Sequence, residues 1–428
     1  MLKAGVKIAD ITPEVGVQLG GYPHCPRPNE GAHDRPQASC FYLDNGKERI
    51  AFVVTDLFFL TKELASRVRS HFDFDITLTA SHTRSTPNTG YVHSYEAEEG
   101  VEVSKEYVDF IENTLVDLVQ KASEDTFDAE LGSYIGVCGA DRGVGGNRRV
   151  KGGLCDPTVN VFAIRDKESE IVRGIWLCYA LHPTYLHAEN VLVSADYPAF
   201  IRRHLSFAYP EAVFGFSQGT SGNQSSRYHR VAQDFEEACR VGTTLGNAVQ
   251  DCVELMDFYD DVELSVKRTS IDLPLRKFAP AETQVEAMEA ARKRVRDLTE
   301  SGAPYIDRRN AELDMFGAED LYYLAKELEA GPTDFHKLLP CEIQVIRVGE
   351  MTLVTTQGEI FVEYGLAIKD GSPDEKTVVV ELANGELPGY VYTADALEDG
   401  GYEVSNSMLT ADAGGEIVKA AVALLKGE

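Results

Sequence analysis

Residues 76–84, ITLTASHTR, decide the fold, because a run of apolar and β-branched residues passes directly into polar ones at His82. Such a run is typical of a buried strand. Ligands of open α/β sheets bind beyond the carboxyl ends of strands, so several strands of this kind would share one site. Three other stretches repeat the pattern: GIWLCYAL (174–181) runs into His182, VFGF (213–216) into Ser217 and Gln218, and EMTLVTTQ (350–357) into Glu359.

Helical patterns alternate with these strands, which predicts an α/β fold with a mixed sheet core flanked by helices. Residues 342–356 predict a β-hairpin that turns at Gly349-Glu350. Residues 280–330 carry apolar positions at helical spacing among charged ones, which indicates a helical insertion. We expect residues 1–428 to form a single domain. The predicted strands are residues 49–56, 76–80, 174–181 and 213–216, and the predicted helices are residues 62–71, 107–122, 232–255, 318–330 and 415–425.

The chain of 428 residues is acidic, since 41 Lys and Arg against 69 Asp and Glu give a formal net charge of −28. This balance argues against nucleic acid as a partner and against stable membrane association, because both need clustered basic residues. No secretory signal or membrane-spanning stretch is recognisable, so we expect a cytoplasmic protein. The eight cysteines form no CxxC pair, which favours reduced, buried thiols. These properties fit a protein that acts on a small-molecule substrate, either as a single chain or as a homo-oligomer.

Two histidines and a glutamate at strand ends, His82, His182 and Glu359, have the composition of a catalytic zinc site. Three protein ligands leave a position for water, whose pKa zinc lowers to about 7. The three residues are far apart in sequence, so a hydrogen-bonded structural role is the alternative for each histidine. His187, five residues after His182, is a candidate for contacting a metal ligand rather than the metal itself. The histidines to which we assign only a structural role are His24, His33, His71, His93, His204, His229 and His336.

Two loops rich in small residues have a functional and a structural interpretation. One of these loops, SQGTSGNQSSR (217–227), follows a strand. In the functional interpretation it offers N–H groups and hydroxyls to an anionic intermediate. In the structural interpretation it is an ordinary strand-to-helix connection. GVGGNRR (143–149) carries Arg148 and Arg149, which bind a carboxylate or carbonyl group or are simple surface arginines. Neither loop has the spacing of a phosphate-binding loop or of a nucleophile elbow.

Six segments together resemble the catalytic domain of the neutral (non-lysosomal, alkaline) ceramidases, and they keep the order of that family along the chain. The stretch 76–91 resembles the family's T-A-S/T-H-T-H-S-G-P-G-G-Y, and 389–403 resembles its Y-V-T-T-x-E-E-Y-x-x-x-x-Y-E. The segments are GVKIADITPEVGVQLGGY (5–22), ITLTASHTRSTPNTGY (76–91), WLCYALHPTYL (176–186), GFSQGTSGNQSSR (215–227), TTQGEI (355–360) and GYVYTADALEDGGYE (389–403).

The resemblance implies a bound Zn²⁺ with four ligands, His82, His182, Glu359 and Tyr390. Three of these are strand-end residues already selected from the pattern of the sequence alone. The fourth, Tyr390, enters only through the resemblance. The implied fold is a ceramidase-like zinc hydrolase domain with a mixed sheet, flanking helices and the helical insertion.

The resemblance also implies roles for residues around the metal. Ser225 stands at the place of a serine that the family has been argued to use as a nucleophile, and Tyr402 would hydrogen-bond the tetrahedral oxyanion. Arg148 matches an arginine that contacts the substrate or the oxyanion. Asp196, in SADYPAF, matches a family aspartate for which we expect a structural role.

The chain also departs from the family pattern. Arg84 replaces the second histidine of the H-T-H motif, and arginine does not deprotonate in proteins, so the general acid and base differ. His187, or water held by Glu359, is the alternative source of proton transfer. Residues 86–90 and 222–227 differ from the family's G-P-G-G and G-D-V-S-P-N. The C-terminal immunoglobulin-like domain of the family is not recognisable here.

From these features we expect a zinc-dependent hydrolase in which metal-bound water attacks an amide (N-acyl) bond. Arg84 would bind an anionic group, so a small polar amide is a better substrate than membrane ceramide. One alternative is a serine-type ester or lactone hydrolase that uses Ser225. The other is a catalytically inactive relative that binds a ligand in the same pocket.

Overall fold

The computed structural model describes residues 1–22, 25–92, 100–330 and 338–428, and its largest element is a mixed β-sheet. Its strands run in the order β4-β3-β2-β1-β5-β7-β8-β9, with β11 beside β5. The β3–β4 and β8–β9 pairs are parallel and the other pairs antiparallel. These strands are β1 (Leu2–Asp10), β2 (Gln37–Asp44), β3 (Arg49–Thr55), β4 (Asp75–Ala80), β5 (Phe127–Val137), β7 (Thr158–Asp166), β8 (Val172–Tyr179), β9 (Val213–Gln218) and β11 (Phe258–Tyr259).

A second sheet has the order β12-β13-β14-β15, and its β14–β15 pair is parallel. The hairpin predicted for residues 342–356 is confirmed, because β13 and β14 pair from Ile343 to Val348 around Gly349, which has φ 61°. A short ladder joins β6 to β10. These strands are β6 (Gly146–Asn147), β10 (Gln224–Ser225), β12 (Leu264–Ile271), β13 (Cys341–Val348), β14 (Met351–Thr356) and β15 (Thr377–Val380).

Helices cover the outer faces of both sheets, as the alternation in the sequence predicts. Helices α1 and α2 pack on β1 to β4, helices α3 and α4 on β5 and β7 to β9, and helices α7 and α10 on the second sheet. The helices are α1 (Lys62–Arg69), α2 (Lys105–Glu124), α3 (Tyr197–Ala208), α4 (Phe235–Leu255), α5 (Ala281–Glu300), α6 (Tyr305–Glu329), α7 (Val362–Gly371), α8 (Ala394–Asp399), α9 (Tyr402–Ser405) and α10 (Ala413–Lys426).

The two sheets share one apolar core. Phe162 stacks on the buried Trp176 with ring centroids 4.8 Å apart, and Leu353 and Val378 of the second sheet belong to the same cluster. Truncating one such aromatic residue costs about 3–5 kcal/mol. The layers therefore run helix, sheet, sheet, helix, and the carboxyl ends of β4, β8 and β14 come together at one edge of the core.

The predicted helical insertion at 280–330 is a pair of helices, α5 and α6, although α6 begins thirteen residues earlier than the pattern indicates. Asn406 Nδ2 donates a hydrogen bond to Asp320 Oδ2 at 3.3 Å, and Gly317 lies against Ser405. The insertion therefore rests on the short helix α9, which begins at Tyr402.

Sequence periodicity did not identify several elements, among them β1, β2, β5, β7 and α3. The predicted strand at 174–181 ends at Tyr179, so His182 follows two residues of irregular backbone rather than the strand itself. All eight cysteines are free thiols, and five of them are buried. No helix in the described part of the chain has both the length and the apolar character needed to cross a bilayer.

Candidate metal centre and active site

His82 follows β4 in a strained backbone conformation. Its φ of 68° lies in the left-handed region, which a residue with a side chain rarely adopts outside functional sites. The Nδ1 atom donates to the carbonyl oxygen of Phe58 at 2.9 Å, and the two rings stack with centroids 4.5 Å apart. Because a carbonyl only accepts, Nδ1 carries the proton and the Nε2 lone pair faces the site.

His182, which follows β8, has the same arrangement. Its Nδ1 donates to the carbonyl oxygens of Ser221 at 2.8 Å and Gln224 at 3.1 Å, which leaves the Nε2 lone pair toward Glu359. Complete burial, together with the positive charge of Arg148, lowers the pKa of His182 to about 3. The imidazole is therefore neutral at physiological pH and able to act as a metal ligand.

Glu359 brings a carboxylate to these two nitrogens. Its Oε2 lies 2.8 Å from His182 Nε2 and 3.3 Å from His82 Nε2. The guanidinium groups of Arg84 and Arg148 lie near this carboxylate, and their positive charges favour its ionised form. The carboxylate is therefore ionised over the physiological range.

The three groups fit a metal ion better than they fit one another. Their candidate ligand atoms all lie within 4.8 Å of each other. Since both imidazoles use their N–H groups elsewhere, two nitrogen lone pairs face an anionic oxygen, which is repulsive without a cation between them. Within the described residues, His82 Nε2 and the nearby buried Tyr390 hydroxyl have no hydrogen-bond partner. Two neutral imidazoles and one carboxylate are a donor set that suits zinc.

Gln218, the fourth strand-end residue, is not a candidate ligand but holds the two histidine segments together. Its amide nitrogen donates to the carbonyl oxygens of Ser81 at 3.1 Å and Leu181 at 3.0 Å. Each of these residues immediately precedes one of the two histidines. The side chain thus ties the ends of β4 and β8 together and fixes the spacing of His82 and His182.

Glu381 supports two of the candidate ligands and was not selected from the sequence. Its side chain is completely buried. Oε1 accepts from Ser221 Oγ at 2.6 Å, and the same hydroxyl lies 3.2 Å from His182 Nδ1. Oε2 accepts from the backbone N–H of Ile360 at 2.7 Å, next to Glu359. One carboxyl group therefore holds the surroundings of both ligands, and burial raises its pKa well above the usual value.

Tyr390 and Tyr402 lie side by side at the same site, with ring centroids 5.9 Å apart. The segment that carries Tyr390 pairs with the Glu359 segment, because Val391 N–H donates to the Glu359 carbonyl oxygen at 3.0 Å. Burial raises the pKa of Tyr402 to about 12, against the opposing effect of Arg84. Its hydroxyl therefore keeps its proton and is available as a hydrogen-bond donor.

Arg148 and Arg149 are not surface arginines, which corrects one of the two interpretations of their loop. Both bind Glu403, through Arg148 Nε to Oε1 at 2.8 Å and Arg149 NH1 to Oε2 at 2.7 Å. Arg148 also lies over the Tyr390 ring, with its Cζ atom 5.5 Å from the centroid. Glu403 thus compensates part of the positive charge of the two arginines and holds Arg148 against the site. Sequence reasoning missed Glu403, although it follows Tyr402 directly.

Arg84 is buried on another side of the same group. Its Cζ atom lies 5.5 Å from the centre of the Phe58 ring, on which His82 stacks, and 5.3 Å from that of Tyr22. Burial would lower the pKa of Arg84, but the nearby Tyr390, Tyr402 and Glu359 groups raise it above its usual range. The guanidinium is therefore charged and close to the candidate ligands.

Ser225 lies in β10, where its hydroxyl accepts the N–H of Arg227 at 3.2 Å. Among the described residues, no hydrogen bond joins this hydroxyl to a histidine, so the pairing of nucleophile and base that activates a serine is not formed. The rest of loop 217–227 instead orients His182 through the carbonyl oxygens of Ser221 and Gln224. The structural interpretation of this loop fits its contacts.

His187 and Asp196 lie outside the group of candidate ligands. His187 Nδ1 is 3.1 Å from Glu189 Oε2, and its ring contacts Tyr22. Asp196 accepts the N–H groups of Leu186 at 3.0 Å and Tyr197 at 2.6 Å, which agrees with the structural role expected for it. His24, His93 and His336 are outside the described residues.

No protein-family model matches this sequence. No curated protein matches it either. Two solved structures are similar over their folds. Neutral ceramidase from Pseudomonas aeruginosa has a TM-score of 0.74 and 18% identity, with 100% of this chain and 75% of that chain covered. A ceramidase complexed with C2 has a TM-score of 0.72 and 17% identity, with the same coverage. The chain therefore has a neutral ceramidase-like fold, with a large mixed sheet and flanking helices.

Proposed function

We propose that this protein is a zinc-dependent hydrolase that cleaves an amide bond, with the metal held by His82, His182, Glu359 and Tyr390. The observation that carries the proposal is the convergence of two imidazole lone pairs and a carboxylate oxygen within 4.8 Å. The ceramidase-like fold supports amide hydrolysis as the reaction, because the neighbours in fold are named as ceramidases.

When bound, zinc supplies a Lewis acid and a nucleophile at neutral pH. The side chains around it have separate tasks. Tyr402 donates a hydrogen bond to the oxygen that becomes negative in the transition state, and Arg148 adds positive charge beside it. Arg148 is held for this task by Glu403, and its guanidinium cannot serve as an acid or base. The N–H groups of His82 and His182 stay bound to backbone carbonyls and keep both rings oriented.

The substrate that we propose is a small polar amide rather than membrane ceramide. A charged guanidinium, that of Arg84, is buried beside the candidate ligands. Packing a lipid chain against this group would desolvate its charge without providing a partner, which is costly. A polar substituent on the substrate avoids that cost.

The test is hydrolysis of a panel of short N-acyl compounds before and after treatment with a chelator. We expect activity that is lost on chelation and returns when zinc is added. The Ser225→Ala variant separates the alternatives, since a serine-type hydrolase loses activity in this variant and keeps it without metal. Full activity in metal-free protein would contradict the proposal. A zinc-loaded protein that hydrolyses no member of the panel would instead indicate a binding protein.

A further inference from the structure

Arg84 is a buried arginine whose guanidinium has few partners among the described residues. The residue is 8% exposed, and its one hydrogen bond within the described residues runs from Nη1 to the Gly21 carbonyl oxygen at 2.9 Å. Nε has no partner, and no carboxylate of the described chain forms an ion pair with the guanidinium. A buried charge of this kind costs several kcal/mol unless a ligand compensates it.

Arg27, a second buried arginine beside Arg84, has most of its hydrogen-bond donors satisfied by backbone carbonyl oxygens, although its Nε, like that of Arg84, has no partner among the described residues. The two guanidinium groups lie over the same ring of Tyr22, 4.8 Å away for Arg27 and 5.3 Å for Arg84. Arg27 donates to four carbonyl oxygens, those of Gly20, Arg84, His187 and Asn190. Arg84 therefore differs from its neighbour in having most of its donor atoms available.

Arg84 lies beside the proposed reaction site. It is two residues from His82 in sequence, and both side chains contact Phe58. Its backbone carbonyl is anchored by Arg27, and a Cβ on Gly21 would lie 2.7 Å from Arg84 Cβ, so the chain packs tightly on this stem. Within the described part of the chain, packing and not an ion pair holds the guanidinium beside the ligands.

We propose that Arg84 binds a carboxylate of the substrate, so that the amide that is cleaved carries a carboxylate near the scissile bond, as an N-acylated amino acid does. This inference rests on the proposed function. A guanidinium matches a carboxylate in charge and in planar, two-pronged geometry. Hydrolysis adds one water molecule across the C–N bond and releases a carboxylic acid and an amine, one of which keeps the recognised carboxylate.

A different role for Arg84 would be to stabilise the charge that develops on the reacting carbonyl oxygen. The two roles have different consequences. Loss of a contact with a substrate carboxylate changes the ratio of activities between charged and neutral amides. Loss of a contact with the reacting oxygen lowers both activities by the same factor.

The experiment compares kcat/KM of the zinc-loaded protein on two matched pairs. N-acetylphenylalanine and the phenethylamide of succinic acid are each paired with the neutral amide in which hydrogen replaces the carboxylate. We expect the charged member of at least one pair to be preferred about 10- to 100-fold, the range for a charge-assisted hydrogen bond. In Arg84→Gln the preference should fall to within about 3-fold, and Arg84→Lys should restore part of it.

Arg142→Gln is the matched control, because Arg142 is exposed and lies away from the candidate ligands. This variant should keep the preference of the original protein. Equal activity on both members of both pairs would overturn the inference while leaving the proposed function intact. An Arg84→Gln variant that loses the same factor on charged and neutral amides, with an unchanged ratio, would also overturn it.

The failure of hydrolysis has a separate signature. If none of the four amides is cleaved, the proposed function fails, and calorimetric binding of N-acetylphenylalanine then tests the inference alone. Binding that Arg84→Gln weakens by at least about 10-fold would support a carboxylate receptor without turnover. Binding that is absent, or unchanged in the variant, would overturn the inference.

Discussion

Two arginine environments lie on different sides of the candidate metal centre, and the protein treats them in opposite ways. Arg148 and Arg149 share the carboxylate of Glu403, with distances of 2.8 and 2.7 Å. Arg84 is equally enclosed but has one backbone carbonyl as its hydrogen-bond partner in the described chain. The difference indicates that one environment is complete in the free protein and the other becomes complete when a ligand binds.

The two arginine environments should respond differently when a charged group is removed. Removing the partner of a buried ion pair leaves an uncompensated charge and strongly destabilises the fold. Removing a charge that never had a partner does not carry that penalty. Substitutions in the two environments should therefore change stability in different directions, even though each alters a charged group next to the same site.

The largest effect is expected for Glu403→Gln. The change leaves Arg148 and Arg149 buried without a counter-ion and should lower the free energy of unfolding by about 3–5 kcal/mol. Urea denaturation measures this loss. The control is Asp297→Asn, which breaks an exposed pair with Lys293 and should cost less than about 1 kcal/mol. Equal losses in the two variants would show that Glu403 does not compensate a buried charge on the arginines.

Asp196 is a buried acid that forms no ion pair with any described residue. Unlike an arginine, an acid can lose its charge by binding a proton. Burial raises the pKa of Asp196 to about 7. In the unfolded chain the group ionises near pH 4, so between about pH 4 and 7 the folded state binds the extra proton and stability falls as pH rises. Relative to Asp196→Asn, the original protein should lose on the order of 2–4 kcal/mol across this interval.

Urea unfolding of both proteins at several pH values measures the effect of Asp196. The comparison with Asp196→Asn cancels the contributions of the other titrating groups. A difference in stability that stays constant from pH 4 to 7 would mean that Asp196 has an ordinary pKa in the folded protein.

Glu381→Gln tests the carboxyl group that supports two candidate ligands. The amide keeps the shape but cannot accept from both Ser221 Oγ and the Ile360 N–H with the same geometry. Outer groups of this kind usually change metal affinity by about 10- to 100-fold, so we expect zinc binding to weaken by that factor. A competing chromogenic chelator measures the affinity. Unchanged zinc affinity together with lower stability would reduce Glu381 to a structural residue.

The smallest effect is expected for Arg84→Met, which removes the charge without a counter-ion. Its unfolding free energy should stay within about 1 kcal/mol of the original value or rise above it, because relief of the uncompensated buried charge offsets the loss of the contacts with Tyr22 and Phe58. Urea denaturation checks this result. A loss above about 2 kcal/mol would show that Arg84 has a structural partner and would remove the contrast with Glu403.

The parts of this site that the sequence predicts are those set by local pattern. The strand run before His82, and the similar runs before His182 and Glu359, place three polar residues at the ends of buried strands. That periodicity is strong enough to identify the strands. The topology of an α/β sheet then places the residues that follow these strands at a common site. The hairpin that precedes Glu359 and the helical insertion follow from the same local signals.

The parts that the sequence does not predict depend on contacts between distant segments. Glu381 and Glu403 are two of 69 acidic residues, and nothing local separates them from residues on the surface. Arg148 becomes a buried residue only because Glu403, 255 positions later, reaches it. Strands such as β1 and β5 lack clear alternation, since their neighbours in the sheet and not their own pattern fix their burial.

The most direct test of the central claim is the zinc stoichiometry and affinity of this protein and of two variants. We predict one tightly bound zinc ion per chain, and affinities at least about 100-fold lower in His182→Ala and Glu359→Gln. His71→Ala, which changes an exposed histidine, should bind zinc like the original protein. A protein that binds no zinc, or binds it equally well without His182 and Glu359, would contradict the account.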